Sequence, residues 1–261
     1  MRLWNGWGNE DSDLTMELSD GLRALLEALV GPGTALRQAT LNEVIAKVPN
    51  TRLDNHPLIK TDPETRVRHA RGQSLPDWLE MHSGNVDNFP DGVAFPESSE
   101  QVRELLAHAK ENNLIVIPYG GGTSVVGHIN PETSDKPILT IDMAKMNSML
   151  RIDTESQLAT FGAGAPGPVV EKELKKHGYT LGHFPQSWEL STLGGWVASR
   201  SSGQQSLHYG RIENMFAGGT IETLNGTMTI PTIPASSAGP DVREMIPVSY
   251  THLTLPTNRE V

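Results

Sequence analysis

The sequence contains no cysteine. This absence excludes disulfide bonds, thiolate zinc sites, cysteine nucleophiles and a flavin attached through sulfur, and it is compatible with a reducing compartment. The chain also lacks an apolar run of membrane-spanning length and the basic-then-apolar start of a signal peptide. We therefore expect a cytoplasmic protein without an integral membrane segment.

Positive charge and aromatic residues are both scarce. Lysine and arginine number 21 against 31 acidic residues, which gives a formal net charge of −10, and aromatic residues make up 5% of the chain. Nucleic acids and anionic membranes attract a positive field, and single strands bind to aromatic stacking surfaces. No histidine and carboxylate set has metal-ligand spacing. We expect a small-molecule substrate, with neither a nucleic-acid partner nor a metal.

A glycine-rich segment follows an apolar run. Residues 114–130 read LIVIPYGGGTSVVGHIN, in which the apolar run predicts a buried strand. We call residues 118–124 the glycine loop. Glycine permits positive φ and close approach of a ligand, and successive N–H groups can form an anion nest. The loop therefore predicts a site for the pyrophosphate of a nucleotide cofactor, with a plain tight turn as the alternative.

The glycine loop differs from the two commonest phosphate-binding signatures. No lysine follows the glycines, so the loop is not a P-loop. The run GGGTSVVG also lacks the GxGxxG spacing and the helix of a Rossmann fingerprint. Both of these nucleotide-binding classes are therefore disfavoured.

Residues 1–88 are predicted to form a helical N-terminal segment. Apolar residues recur at helical spacing over residues 20–30, and residues 40–47 predict a second short helix. A charged run lies within residues 61–84. We interpret this run as a solvated helix face, with a basic binding site as the alternative. Its members are Glu64, Arg66, Arg68, His69 and Arg71.

Strand and helix patterns alternate from residue 89 onward. Ser98 and Gln101 have capping-box spacing, and Asn225-Gly226 predicts the turn of a hairpin over residues 221–230. The order of elements predicts an α+β or α/β fold with a mixed sheet, in which a β-α-β unit ends at the glycine loop. The predicted strands cover 93–95, 114–117, 138–141 and 157–161, and the predicted helices cover 98–111 and 168–177.

A second glycine-bearing segment spans residues 184–203, FPQSWELSTLGGWVASRSSG. We call it the second segment. Ser191 and Thr192 precede two glycines, and a run of helical character with several small side chains follows. Small side chains allow another group to pack against the helix backbone. A neighbouring helix and a bound ligand both explain this pattern.

Five motifs occur in order between residues 62 and 246: DPETRVRHARGQSLPDW, FPDGVAFPESSEQV, IPYGGGTSV, STLGGWVASRSSGQQSLHYGRIENM and SAGPDVREMI. Together they resemble the vanillyl-alcohol-oxidase-type flavoproteins, most closely the alkyldihydroxyacetonephosphate synthase branch of the FAD-linked oxidases. The resemblance implies an α+β fold. A PCMH-type FAD-binding domain with mixed sheets flanked by helices would occupy residues 89–246, preceded by the helical N-terminal segment.

The resemblance implies FAD as the cofactor and assigns two sets of contacts to it. The first set would wrap the FAD pyrophosphate and consists of Pro118, Tyr119, Gly120, Gly121, Gly122, Thr123 and Ser124. The second set would lie along the ribityl and flavin side. It consists of Gln186, Ser187, Ser191, Thr192, Gly194, Gly195, Ser199, Arg200, Ser201 and Ser202.

The sequence departs from the family pattern at several positions. Thr123 stands where some relatives attach FAD through histidine, so we expect non-covalent FAD. Gln186 replaces an acidic residue. Ala235 follows Pro234 where the ether-lipid enzymes have an arginine, a residue suited to holding a substrate phosphate. This last departure argues against the specific ether-lipid substrate.

The family pattern continues beyond residue 246 into a GSEGxLG-type motif and a cap domain with catalytic tyrosine and histidine residues. Residues 247–261, PVSYTHLTLPTNREV, instead resemble translated adapter sequence, and we expect a non-native tail. Catalytic residues are therefore not assigned in this chain. We interpret its isolated histidines as structural or solvated, although His128 beside the glycine loop and Tyr209 remain candidates for cofactor contact.

The resemblance implies an FAD-dependent oxidoreductase or flavin-dependent synthase, present here as its FAD-binding portion. Its substrate would be an acylated ketose phosphate, a 2-hydroxy acid or another alcohol, so an FAD-linked 2-hydroxy-acid dehydrogenase is an alternative. A non-catalytic flavin-binding fragment is a second alternative, from a different functional class. A homodimer is one expected assembly.

Overall fold

The computed structural model describes residues 2–11, 18–232 and 242–246. The expected non-native tail and the Pro234-Ala235 pair lie outside these residues. Within the described ranges, no helix has both the length and the apolar character needed to cross a membrane. The same ranges contain no cluster of three or more histidine and acidic side chains placed to hold a metal ion.

The described residues of the N-terminal part form four helices and one short strand. Each helix begins where a side chain at the N-cap accepts a hydrogen bond from a backbone amide of the first turn, and the caps are Ser19, Thr40, Asp62 and Ser74. The helix predicted over residues 20–30 is confirmed. The elements are α1 (Asp20–Val30), α2 (Leu41–Ile45), β1 (Ile59–Lys60), α3 (Pro63–Arg68) and α4 (Leu75–Ser83).

The main sheet has four strands in the order β1-β2-β4-β3. Strand β2 (Gly92–Ala94) pairs antiparallel with β1 and parallel with β4 (Ile138–Asp142), and β4 pairs parallel with β3 (Ile115–Tyr119). Helix α5 (Ser99–Glu111) connects β2 to β3 and buries Leu105 against the sheet. The predicted mixed sheet and β-α-β unit are confirmed.

Strand β3 lies at the edge of this sheet, which corrects the prediction of a buried strand. Among the described strands it pairs only with β4, and its residues range from exposed (Ile115, Pro118) to buried (Ile117, Tyr119). Proline has no amide hydrogen to donate, and an edge strand tolerates that loss. A short apolar run does not by itself distinguish an edge strand from a central one.

Two small antiparallel sheets, four α-helices and two short 3₁₀ helices lie in the rest of the described chain. Strand β7 pairs with β8, and Thr223 lies opposite Gly226. The predicted hairpin is therefore confirmed, but its two-residue loop is Leu224 and Asn225, one position earlier than expected. The elements are β5 (Met149–Asp153), β6 (Leu158–Phe161), α6 (Gly167–Lys175), α7 (Leu193–Ala198), α8 (Ser206–Tyr209), α9 (Ile212–Met215), β7 (Gly219–Thr223) and β8 (Gly226–Ile230).

The charged run around α3 is largely buried, so its interpretation as a solvated helix face was wrong. Arg66 is only 2% exposed, and His69 and Arg71 are also buried. Arg66 Nε donates to the Pro90 carbonyl at 2.6 Å and Nη1 donates to the Pro49 carbonyl at 2.7 Å. Burial lowers the pKa of Arg66, and the nearby Asp91 partly opposes that shift. These carbonyl partners allow a buried guanidinium to keep its hydrogen bonds.

The N-terminal segment contributes directly to the main sheet. In the β1–β2 pairing, Ile59 lies opposite Ala94 and Lys60 lies opposite Val93. Arg52 also forms an ion pair with the buried Asp91, with Nη2 2.7 Å from Oδ2. The sheet therefore includes residues from both sides of the boundary predicted between residues 88 and 89, and that boundary stays a prediction.

Candidate functional site

The glycine loop packs directly against the second segment, although the two are distant in sequence. A Cβ atom on Gly120 would overlap Thr192 Oγ1, and a Cβ atom on Gly121 would overlap the Leu190 carbonyl oxygen. Only glycine permits this approach of one backbone to the other. The structure therefore brings together two segments that were predicted to contact the same ligand.

Gly122 has two separate reasons to be glycine. Its φ is +63°, in the left-handed region, and a Cβ atom there would overlap the hydroxyl of Tyr119. Tyr119 is buried, and burial raises its pKa to about 12, so the phenol keeps its proton at neutral pH. The Tyr119 ring also packs on His69, with the ring centroids 4.7 Å apart. The neutral side chain of Tyr119 thus packs against Gly122 and supports the turn of the loop.

A cavity of about 330 Å³ borders the glycine loop. Its size falls within the range of small-molecule binding sites. The backbone of Gly120, Gly121 and Gly164 forms one part of its wall. Its polar and charged lining residues are Arg2, Arg68, His69, Arg71, Gln73, Asp142, Asn147 and Thr192.

The cavity wall is locally positive, in contrast to the whole chain. Three arginines but only one aspartate line it, whereas the chain carries a formal net charge of −10. Arg68 pairs with Glu64 at 2.9 Å, and Arg71 pairs with Glu80 at 2.6 Å. A positive wall beside bare glycine backbone suits an anionic ligand group.

His69 and Asp142 form a buried pair at this wall. His69 Nε2 lies 3.0 Å from Asp142 Oδ2, and His69 Nδ1 lies 2.7 Å from the Thr65 carbonyl oxygen. The other oxygen of Asp142 accepts a hydrogen bond from the Ala144 amide at 2.8 Å. These contacts fix both side chains, so the pair gives the cavity a rigid polar wall.

The predicted cofactor contacts fall into two groups in the structure. Four of them border the cavity: Tyr119, Gly120, Gly121 and Thr192. The others do not border it, and they include Pro118, Gly122, Thr123, Ser124, Gln186, Ser187, Ser191, Gly194, Gly195, Ser199, Arg200, Ser201 and Ser202. Gln186 is exposed. The structure therefore gathers only part of the predicted set around one space.

Several hydroxyls of the second segment bind within the chain. Ser191 donates to the Ser187 carbonyl at 2.8 Å and accepts from Trp196 Nε1 at 2.7 Å. Ser199 donates to the Gly195 carbonyl at 2.7 Å, and Ser201 Oγ lies 3.1 Å from His183 Nε2. The small side chains thus stabilise the turns around α7, which is a local structural role.

Other polar atoms of the second segment and its neighbours are buried without a partner in the described chain. They are His183 Nδ1, Trp188 Nε1, Arg200 Nε and Glu213 Oε2. Burial lowers the pKa of His183, so this ring favours its neutral form. Arg200 also has φ +51°, an uncommon conformation for a residue other than glycine. Unpaired buried groups next to a strained backbone are typical of a ligand site.

One contributor to the cavity was not identified from the sequence. In residues 162–167, GAGAPG, both Gly164 and Pro166 line the cavity. This segment holds α7 in place, because the Leu193 amide donates to the Ala165 carbonyl at 2.9 Å. The close spacing of Gly162, Gly164 and Gly167 was the sequence feature that could have indicated this part of the cavity. No comparable sequence pattern marks the cavity residues Arg2 and Trp4.

The isolated histidines have different surroundings. His128 Nδ1 lies 3.1 Å from Ser124 Oγ, which connects it to the glycine loop. His177 and His208 are exposed. The ring of Tyr209 covers Gly182 and does not border the cavity. Two of the isolated histidines thus contact a predicted cofactor residue, because His128 lies beside Ser124 and His183 beside Ser201.

A protein-family model matches more than half of the chain. The model of the FAD binding domain matches residues 90–230. Alkyldihydroxyacetonephosphate synthase from Dictyostelium discoideum is 34% identical, over 97% of this chain and 46% of that protein. The enzyme of the same name from Trypanosoma brucei brucei is 36% identical, over 72% of this chain and 31% of that protein.

A solved structure of an alkyldihydroxyacetonephosphate synthase has a similar fold. It superposes with a TM-score of 0.79 at 31% identity, covering 94% of this chain and 51% of the other. The chain thus spans about half or less of the length of these relatives. Because the structural match covers 94% of this chain, the similarity extends beyond residues 90–230.

Proposed function

Because this chain belongs to the FAD-binding domain family, we propose that it is the cofactor-binding part of a flavin-dependent enzyme resembling alkyldihydroxyacetonephosphate synthase. The observation that carries this proposal is the contact of the glycine loop with the second segment beside a positively lined cavity. FAD is the cofactor of the family, and its diphosphate is an anion of the kind that such a wall suits.

The residues present fit FAD. The bare backbone of Gly120 and Gly121, together with the Thr192 hydroxyl, would hold the diphosphate at the cavity. The unpaired buried atoms of His183, Trp188 and Arg200 supply polar groups along the second segment. When bound, FAD supplies the electron-accepting ring, and the protein binds and orients it. The buried ring of Tyr119 packs against Gly122 and so supports the loop.

The attachment of FAD is proposed to be non-covalent. Relatives with covalent FAD use a histidine in the glycine loop, and this chain has Thr123 there. The threonine side chain has no ring nitrogen, which is the nucleophile of a histidine. The absence of cysteine removes the sulfur-linked alternative.

A titration tests the nature of the ligand. Only a ligand that binds the folded state raises the unfolding temperature. We expect FAD to raise the thermal midpoint, with ATP and NADH at the same concentration giving no rise. A rise with ATP or NADH but none with FAD would reject the proposed cofactor site.

The activity of the whole protein is part of the proposal. The relatives are named as synthases of alkyldihydroxyacetonephosphate. The proposed substrate class is an acylated ketose phosphate, and a 2-hydroxy acid or another alcohol is the alternative. The full-length protein and this chain should be compared for bound FAD and for bleaching of the flavin absorbance by each substrate class. Bleaching is expected only in the full-length protein. Bleaching in this chain alone would reject the view that it is a non-catalytic flavin-binding fragment.

A homodimer and a cytoplasmic location stay predictions.

A further inference from the structure

The first described residues form a small hairpin. Arg2 and Asn9 make an antiparallel bridge, and the Leu3 amide donates to the Gly8 carbonyl at 3.0 Å. We call residues 2–9 the N-terminal hairpin. It lies outside residues 90–230, which match the family model.

Contacts with the folded chain hold this hairpin in place. Arg68 Nη1 donates to the Arg2 carbonyl at 2.9 Å, and Arg68 Nη2 lies 3.4 Å from Glu10 Oε1. The half-buried side chain of Trp4 packs against a core cluster that includes Val44 and Met81. The position of Arg2 is therefore fixed by contacts with α3 and with the core.

The hairpin forms one side of the cavity beside the glycine loop. Arg2, Leu3 and Trp4 line this cavity together with Gly120 and Gly121. The guanidinium of Arg2 donates a hydrogen bond from Nη1 to the Gly121 carbonyl. A cationic group from the start of the chain thus contacts the loop that is proposed to hold the diphosphate.

Arg2 differs from the other two arginines of the cavity. Arg68 and Arg71 pair with glutamates, whereas no carboxylate of the described residues lies within ion-pair distance of Arg2. A guanidinium has five N–H donors in a planar fork, which matches the oxygens of a phosphate. Its bond to the Gly121 carbonyl uses one nitrogen, so further donors remain for an anion at the cavity.

We propose that Arg2 is an additional FAD-binding residue that contributes positive charge to the cofactor's diphosphate, and that the N-terminal hairpin closes this side of the FAD site. The inference rests on the proposed FAD binding. The hairpin belongs to a part of the chain in which neither the glycine motifs nor the family model assigns a cofactor contact.

Substitution of Arg2 tests this role. Arg2→Gln keeps a hydrogen-bond donor and removes the charge, Arg2→Lys keeps the charge, and Arg23→Gln on the exposed face of α1 is the matched control. Dissociation constants of FAD and riboflavin should be measured with the apoprotein by flavin fluorescence. Riboflavin contains the flavin ring and no phosphate, so it separates the diphosphate contact from the rest of the site.

We expect Arg2→Gln to weaken FAD binding about tenfold at low salt, and less at about 0.5 M salt, because screening reduces charge interactions. Arg2→Lys keeps the charge and loses the planar fork, so its FAD affinity should lie between those of the wild type and Arg2→Gln, and Arg23→Gln should show no change. Riboflavin affinity should be the same in all proteins. FAD binding by Arg2→Gln within about twofold of the wild type, or an equal loss of riboflavin affinity, would overturn the role of Arg2.

Hydrogen exchange of the wild-type protein gives a test that does not depend on the folding of a variant. Bound FAD should slow exchange in residues 2–9, and unchanged exchange there would overturn the closure by the hairpin. A wild-type protein that does not bind FAD would instead reject the proposed function itself. These outcomes distinguish the failure of the inference from the failure of its premise.

Discussion

His69 Nε2 lies 3.0 Å from Asp142 Oδ2, and this contact joins the end of α3 to the end of β4 at the cavity wall. The other ring nitrogen faces the Thr65 carbonyl, so both nitrogens face acceptors. A neutral imidazole donates through only one nitrogen. The contact to which His69 donates is therefore set by the tautomer of its ring.

Removal of the His69 ring should destabilise the protein strongly. In His69→Ala, the buried Asp142 side chain would lose a charged or strongly polar partner, and such losses cost roughly 3 kcal/mol. Urea unfolding should show this decrease in the free energy of unfolding. His177→Ala, at an exposed histidine, should change it by less than about 0.5 kcal/mol. A similar small effect in both variants would contradict the structural role of the pair.

Gly122→Ala should disrupt the glycine loop. The left-handed backbone costs an alanine roughly 1–2 kcal/mol, and the overlap with Tyr119 adds to that cost. We expect a lower free energy of unfolding. We also expect about tenfold weaker FAD binding, because a loop displaced at a cost of about 1.4 kcal/mol lowers the affinity by that factor. Both can be measured on purified apoprotein.

Gly33→Ala is the matched control for this substitution. No atom lies within 4 Å of a Cβ atom at Gly33, which has no positive φ. This variant should bind FAD as the wild type does. Normal FAD affinity in Gly122→Ala would contradict the proposed fit between the loop and the cofactor.

The stability of the protein should depend on the protonation of His183. Burial lowers the pKa of His183 in the folded state, and the nearby Glu213 only partly opposes the shift. In the unfolded chain the pKa is about 6.5. As the pH falls through that value, the unfolded state gains a proton before the folded state does, so stability decreases and continues to decrease down to the lower folded pKa.

His183→Gln should remove this component of the pH dependence. Urea midpoints between pH 7.5 and pH 5 give the comparison, because the wild-type slope contains the His183 term and the variant slope lacks it. The difference between wild type and variant should shrink as the pH falls. Parallel curves would contradict the predicted effect of burial on His183.

Acid precipitation of FAD-loaded protein tests the attachment of the cofactor. With Thr123 in the loop and no cysteine in the chain, no covalent bond to FAD is expected. The yellow colour should therefore move entirely to the supernatant. Colour retained in a washed pellet would show covalent attachment.

Local features were predictable from the sequence because their causes lie within a few residues. Ser98 caps α5, as its spacing with Gln101 predicts. At α5 the second half of the capping box is absent, because the Gln101 side chain accepts from the Glu97 amide at 2.7 Å. Even a short motif can thus be altered by the neighbouring turn.

Features that depend on distant partners were not predictable in the same way. Arg66 and His69 belong to a run of charged residues, and only the positions of Pro90 and Asp142 in the fold make their burial favourable. The edge position of β3 depends on the strand order. Likewise, the family motifs located the glycine loop and the second segment, but no pattern indicated that Arg2 lies beside them.

The short strand β1 has a practical consequence for dividing this chain. It occupies one edge of β2 and binds the backbone near Val93 and Ala94. A polypeptide begun at residue 89 would leave that edge with unpaired N–H and C=O groups, and exposed edges of this kind pair with other chains. The boundary predicted between residues 88 and 89 is therefore a poor place to cut, because the shorter protein would be prone to self-association through its own sheet.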